Sequence, residues 1–366
     1  MEKEVYKELA EALDRLPESY PATESGIEIE ILKKVFTPEQ AEVARFMSEK
    51  WEEAGEIAKR AGMPLHRVKE ILDSMYWSKR WTASRAAQKI VDGVTVYRLR
   101  PMGGGGWYEG DQPFMTDPEF GNLVDEYFKG GALKKINTAR ATDHPFARVI
   151  PMSKALAKVP GYEIPIYEDL RRLIREADWT AVYKCGCRLH KHVVGTPSCD
   201  FPIDTCMVFY TNDILKPPQD VKLLTKEEAI KIVDMCEDLG LIHIAANFQE
   251  GNTFACFCCG CCCFGFMSYN NDNVLHCNKS NFMPVVDHDK CNLCGKCRNI
   301  CQVYACHIID GRVRPDYEKC VGCGACVANC RRDAIDFKPR PEKERKIIYK
   351  TRENWEKVVK ETRQFK

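Results

Sequence analysis

Near the C-terminus one cysteine pattern occurs twice, and it limits what this chain can be more than any other feature does. It reads Cys291-x2-Cys294-x2-Cys297-x3-Cys301, then Cys320-x2-Cys323-x2-Cys326-x3-Cys330. Each cysteine of the first run has its counterpart 29 positions on, as Cys320 is to Cys291. Packing does not explain eight thiols in one repeated register. Cysteines at i, i+3 and i+6 sit on a tight loop and converge on one centre, and the cysteine at i+10 opens the following helix and points across to a second. Paired CxxC units alone would also suit two zinc ribbons. The third and fourth cysteines of each run argue against zinc.

The segment from about Phe282 to Lys338 resembles a two-cluster bacterial ferredoxin domain, in which this spacing holds [4Fe–4S] cubanes. The resemblance implies one cluster on Cys291, Cys294, Cys297 and Cys330, and another on Cys320, Cys323, Cys326 and Cys301, because the fourth cysteine of each run ligates the other cluster. Gly295, Gly322 and Gly324 would let backbone amides approach the sulfides and help set the potential. The chain departs from the family where Pro normally follows the fourth cysteine: Gln302 and Arg331 stand there instead.

Two further cysteine sets precede the repeat. Cys185, Cys187, Cys199 and Cys206 fall within 22 positions, with Arg188, His190 and Lys191 nearby. They are expected to ligate a third [4Fe–4S] cluster, with positive charge stabilising the thiolates; a zinc site or free cysteines is the other reading. Cys256, Cys258, Cys259, Cys261, Cys262 and Cys263 put six thiols into eight residues. Vicinal cysteines do not all reach one cubane, so this set is read as a fourth cluster together with redox-active thiols. Its Cys-Cys-Gly element is similar to the CCG motif of heterodisulfide-reductase-type subunits, without the outlying cysteine spacing or the second repeat. Cys236 and Cys306 read as core residues, and Cys277 beside His276 as a spare ligand.

The fold class expected is α+β with several domains. Residues 1–100 form an N-terminal helix and a winged-helix-like domain. A Gly/Pro/aromatic connection follows over 101–165, in which Trp107 and Tyr108 pack, and then a cysteine-rich α/β domain over 166–281. The ferredoxin-like domain covers 282–338 and a basic helical tail 339–366. Thr37, Pro38 and Gln40 start one helix with a capping box. Glu52 to Ala61 and Pro64 to about Trp77 read as the next two, and Asp92-Gly93 marks a hairpin. The run Gly103 to Gly106 lacks the Lys-Ser/Thr and the helix of a phosphate loop. Thr225 and Glu228 form a second capping box.

A net charge of only +1 supplies no general field toward nucleic acid or membrane. The third helix carries Glu70 and Asp73 beside Arg67 and Lys69, so nucleic acid is not expected as a partner. No run approaches a membrane span, and the opening residues show no apolar leader. The 21 cysteines then read as thiolate ligands in a reducing cytoplasm. From Lys338 onward eleven Lys/Arg face five Glu, a charge of about +6 suited to an acidic redox partner.

Taken together, these blocks resemble a group of anaerobic iron–sulfur proteins that combine a winged-helix-like start, CxCR…C…C and CCGCCC segments and a terminal two-cluster ferredoxin domain. The resemblance implies iron bound through these cysteines and an electron-transfer subunit that serves a partner redox enzyme. Two alternatives stay open: an oxidoreductase acting at Cys256–Cys263, and a cluster-dependent redox-sensing regulator that binds DNA.

Overall fold

The computed structural model describes residues 2–76, 84–103, 106–108, 112–210 and 221–364. The expected helix end at Trp77, and Gly104 and Gly105 of the glycine run, lie outside them. The chain divides into two compact units. One holds Met1–Arg140, Cys185–Pro197 and Pro218–Val221; the other holds Ala141–Lys184, Ser198–Pro217 and Lys222–Lys366. The residues expected as a separate middle domain and those of the ferredoxin-like repeat thus fall largely in one unit.

In the first unit, Thr37 accepts from the Gln40 amide while the Gln40 side chain accepts from the Thr37 amide, and Pro38 occupies the first helical position. This satisfies two of the helix's orphan donors. Glu52–Glu53 is a short strand (β1), not the start of a helix; the helix runs over Ala54–Ala61 and the next over Leu65–Met75. Strands β2 (Ala86–Val91) and β3 (Val94–Leu99) form a hairpin, and β1 adds to β3. Its turn has positive φ at both Asp92 and Gly93, the left-handed pair that matches strand twist. Arg67 pairs with Glu39 and Glu70, so the charge of this helix is neutralised at its arginine.

Part of the expected connection is helical. Asp117 caps Pro118–Tyr127, accepting from the Glu119 amide at 3.0 Å with Pro118 at the first position. Trp107 is fully buried and meets Tyr20 and Phe36 edge-on. An aromatic core of this kind contributes roughly 1.5–3 kcal/mol per buried side chain.

The second unit is built on an antiparallel sheet of six strands: β4 (Ala147–Ile150), β5 (Trp179–Lys184), β6 (Asp204–Tyr210), β7 (Lys222–Leu224), β8 (Ile242–Ala246) and β9 (Phe254–Cys258). Their spatial order is β4-β8-β9-β6-β5-β7. Side chains alternate between the faces. On one face, Ile150, Met207, Phe209, Ala245 and Phe257 pack with helices Leu170–Glu176 and Lys226–Asp238. On the other, Val149, Ile242 and Ile244 pack with helix Phe264–Asp272 and with Val303, Ala305 and Val321 of the cysteine repeat.

The repeat itself forms two antiparallel pairs, β10 (Phe282–Val286) with β13 (Ile335–Pro339) and β11 (Cys306–Ile309) with β12 (Arg312–Pro315). Backbone bonds tie it to the sheet: Asn278 and β4 exchange bonds at 2.9 Å, and the Met152 amide donates to the Cys323 carbonyl at 2.9 Å. Buried Glu237 accepts from the Ser153 amide and from Arg171, and its own carbonyl accepts from Asn329 of the repeat. The basic tail is a packed element. Tyr349 bonds the backbone of Asn247 and Gln249, and Trp355 donates to the His144 carbonyl before helix Arg352–Gln364 continues.

His243 on β8 is buried, and neither ring nitrogen has a hydrogen-bond partner among the described residues. Burial, aided by Arg171, pushes its imidazole down to about 3. The unfolded chain, with a His near 6.5, takes up the proton first as pH falls. This contribution to stability is therefore complete above about pH 6.5 and is lost as pH falls toward 3. Urea unfolding of wild type and His243→Leu should show their stability difference changing by about 2 kcal/mol between pH 7 and 5; a pH-independent difference would refute a buried neutral histidine.

Candidate metal centres

The 29-residue repeat is a repeat of backbone geometry. Gly295 and Gly324 precede the two short helices with φ 76° and 81°. Leu293 (φ 58°) matches Gly322 (φ 71°), and Tyr304 (φ 54°) matches Asp333 (φ 47°). Asp287 accepts from the amides of Asp289 and Lys290, and Asp316 does the same for Glu318 and Lys319. These Asx turns set each loop before its first cysteine. The Ala305 amide donates to Cys301 Sγ at 3.2 Å, and the Ala334 amide to Cys330 Sγ at 3.4 Å.

Two apolar cavities result. One is lined by Cys301, Cys306, Cys320, Cys323 and Cys326 with Val303, Ala305 and Val321. The other is lined by Cys291, Cys294, Cys297 and Cys330 with Val313 and Ala334. Cys301 thus stands in the wall with the second run, and Cys330 with the first. Val286 and Ile335, paired across β10 and β13, border both cavities. Four thiols of the repeated register at each cavity, an apolar lining and amides aimed at sulfur fit a [4Fe–4S] cluster at each, with Cys306 as a fifth thiol in the wall of the one around Cys301.

The two environments differ. Cys294 is exposed. Burial pushes the Cys323 thiol up to about 12 and raises Cys320 and Cys326 as well. A hydrogen bond from Cys306 lowers the Cys297 thiol to about 6. Cys306 is buried in the repeat's core. Arg340 is 4 % exposed and donates to the carbonyls of Ser280 (3.1 Å) and Cys320 (2.9 Å). It places a guanidinium beside the buried cavity, and only its membership of a basic stretch marks it in the sequence. Gln302, directly after Cys301, accepts from the Gly260 amide through Oε1 at 3.0 Å. Asn270 donates to both the Gly260 and Gln302 carbonyls. A Cβ on Gly260 would lie 1.9 Å from the Gln302 carbonyl oxygen, so only glycine allows this approach. Gln302 thus makes a contact that joins the repeat to the Cys259–Cys263 turn.

The other cysteine sets are regrouped. Cys185 and Cys187 belong to the first unit, where Cys185 precedes helix Gly186–Val193. In the same unit buried His190 meets the Tyr108 hydroxyl at 2.7 Å, and Lys191 pairs with Asp125 at 3.1 Å. Cys199 and Cys206 belong to the second unit, so neither unit holds the expected four. Cys199 instead gathers with Cys259, Cys261 and Cys262, all four sulfurs within 4.8 Å of one another. The six-thiol run is split because β9 alternates. Phe257 and Cys259 join the helix-covered face. Cys256, Cys258 and Cys263 join the opposite face with Cys277, beside Cys301, Cys320 and Cys323. Cys258 is in hydrogen-bond contact with Cys256 and Cys263, which raises its thiol further than burial alone. Cys206 precedes Met207, the partner of Ala255, so along the ladder it falls beside Cys256. Cys236 is fully buried among apolar residues.

This set of thiolate cavities defines an iron–sulfur protein with an electron-transfer role. Residues 313–336, which hold Cys320, Cys323, Cys326 and Cys330, match the 4Fe-4S binding domain family, so the chain binds at least one [4Fe–4S] cluster. No curated protein and no solved structure matches the chain. No helix among the described residues is long and apolar enough to cross a membrane.

Two substitutions probe this geometry. Cys301→Ser should remove the signal of the centre on Cys320, Cys323 and Cys326 and spare the one on its own run, read by EPR of the reduced protein; damage to the Cys291–Cys297 centre instead would refute crossed ligation. Arg340→Met removes a buried positive charge and should lower the potential of the buried centre by on the order of tens of millivolts, measured by redox titration.

Proposed function

We propose that the chain relays single electrons from an exposed [4Fe–4S] cluster to a buried one, and from there toward the thiols of the central sheet, in the service of a partner redox enzyme. The clusters, when bound, supply one-electron exchange; the protein sets their order and potentials. The observation that carries the reading is the pair of cysteine-lined cavities sharing Val286 and Ile335. Exposed Cys294 gives the first cavity its access to solvent and to a donor. Arg340 and the amide of Ala305 favour added negative charge at the second. Cys256, Cys258 and Cys263 pack in the same apolar core as Cys301, Cys320 and Cys323, which supports them, with Cys206 alongside, as the next redox centre. The basic tail supports an acidic partner through its exposed residues, whereas its packed residues serve the sheet. The ion pairs of Arg67 do not favour the DNA-binding reading.

Iron and acid-labile sulfide per chain, on anaerobically purified protein, test this order. About eight of each corresponds to the ferredoxin pair alone, and about twelve to a further cluster. EPR of progressively reduced protein should then show magnetic interaction between the two ferredoxin-type centres; fewer than eight iron per chain in fully reconstituted protein would refute the pair.

A further inference from the structure

We infer that Cys199, Cys259, Cys261 and Cys262 hold one four-coordinate metal ion of the zinc or ferrous class, a mononuclear centre separate from every cluster. The spacing of the sulfurs carries the assignment. Cys199 Sγ stands 3.6 Å from Cys262 Sγ and 4.0 Å from Cys259 Sγ, and Cys261 Sγ stands 3.8 Å from Cys262 Sγ. All four lie within 4.8 Å of one another. Four thiolates around a single tetrahedral ion, with metal–sulfur bonds of about 2.3 Å, have their sulfurs about 3.8 Å apart. A cubane's four thiolates bond four different irons and sit outside the corners of the cube, so they stand farther apart than ligands sharing one ion. A disulfide would use two sulfurs and leave two over. Four soft thiolates in a tetrahedral set select zinc or iron rather than magnesium or calcium.

The surroundings suit a closed, structural ion. Cys259 and Cys262 are buried, and Cys199 and Cys261 pack against the same apolar core beneath the helices. Cys199 lies 60 positions before Cys259, so the ion would staple the segment leading into β6 to the turn that follows β9. That turn carries Gly260, whose amide holds Gln302 next to the cluster ligand Cys301. The ion thereby braces the contact through which the ferredoxin-like repeat sits on the sheet.

The test is elemental analysis with Zn and Fe K-edge absorption on the full-length, anaerobically purified protein, beside Cys261→Ser and Cys262→Ser. The wild type should contain either one zinc with four sulfur neighbours at about 2.3 Å, or one iron beyond the number matched by sulfide. Either result supports the site and tells the two metals apart. The variants should lose that one ion while acid-labile sulfide stays constant. Equal loss of several iron and sulfide per chain would overturn the proposal in favour of a cluster. So would a wild type with neither zinc nor unmatched iron, in which thiol titration finds disulfides at these positions. Should a variant fail to fold, the wild type alone decides: zinc with an all-sulfur shell and no iron neighbour, or iron in excess of sulfide, supports the site, and the absence of both overturns it.

Discussion

The grouping of the thiols that lie outside the repeat depends on the alternation of side chains along β9. A strand sends successive residues to opposite faces, and this strand runs directly into the cysteine-rich turn. Cys256 and Cys258 therefore face the repeat, whereas Phe257 and Cys259 face the helices. Shifting the register by one residue would exchange the two sets. The sheet's hydrogen bonds to β8 and β6 hold the register and so keep the two groups of thiols apart.

The repeat is held on that sheet by polar contacts at its ligand-bearing loops. The Cys323 carbonyl accepts from Met152, Cys320 from Arg340, and Gln302 bonds the Gly260 turn. Such contacts fix the backbone around the cavities, which is what sets hydrogen bonding to sulfur and hence potential. They also explain why the buried cavity is the one against the sheet. The buried Arg148–Glu168 ion pair at β4 works in the same way for the sheet's edge strand: each charge is tolerated only because the other is present.

Much of this was legible in the residues. The 29-residue offset shows in the cysteines, and the same offset governs the left-handed residues, the Asx turns and the amide–sulfur bonds, because a repeated sequence repeats its local hydrogen-bonding rules. Capping boxes at Thr37 and Thr225 and the Asp92-Gly93 turn stand where their chemistry places them. Local signals are silent where a residue's partners lie far along the chain. Cys199 sits close in sequence to Cys185 and Cys187 yet packs with residues 60 positions away. The stretch around Asp117 reads as loose connection by its glycines and prolines, but a single cap and a proline at the first position start a helix there.

The sequence by itself determined the chemistry: cysteines in this spacing mark a [4Fe–4S] binding segment, and spacing is a property of the chain. It also determined where helices and turns begin, since caps act within a few residues. Only the tertiary structure decided which of the remaining thiols lie together. That choice rests on sheet order and on the face each strand residue takes, and both are fixed by contacts between residues far apart in the chain. The same holds for Arg340 and Gln302. Their types are ordinary in the sequence, and their roles come from burial beside a ligand loop that the fold carries to them.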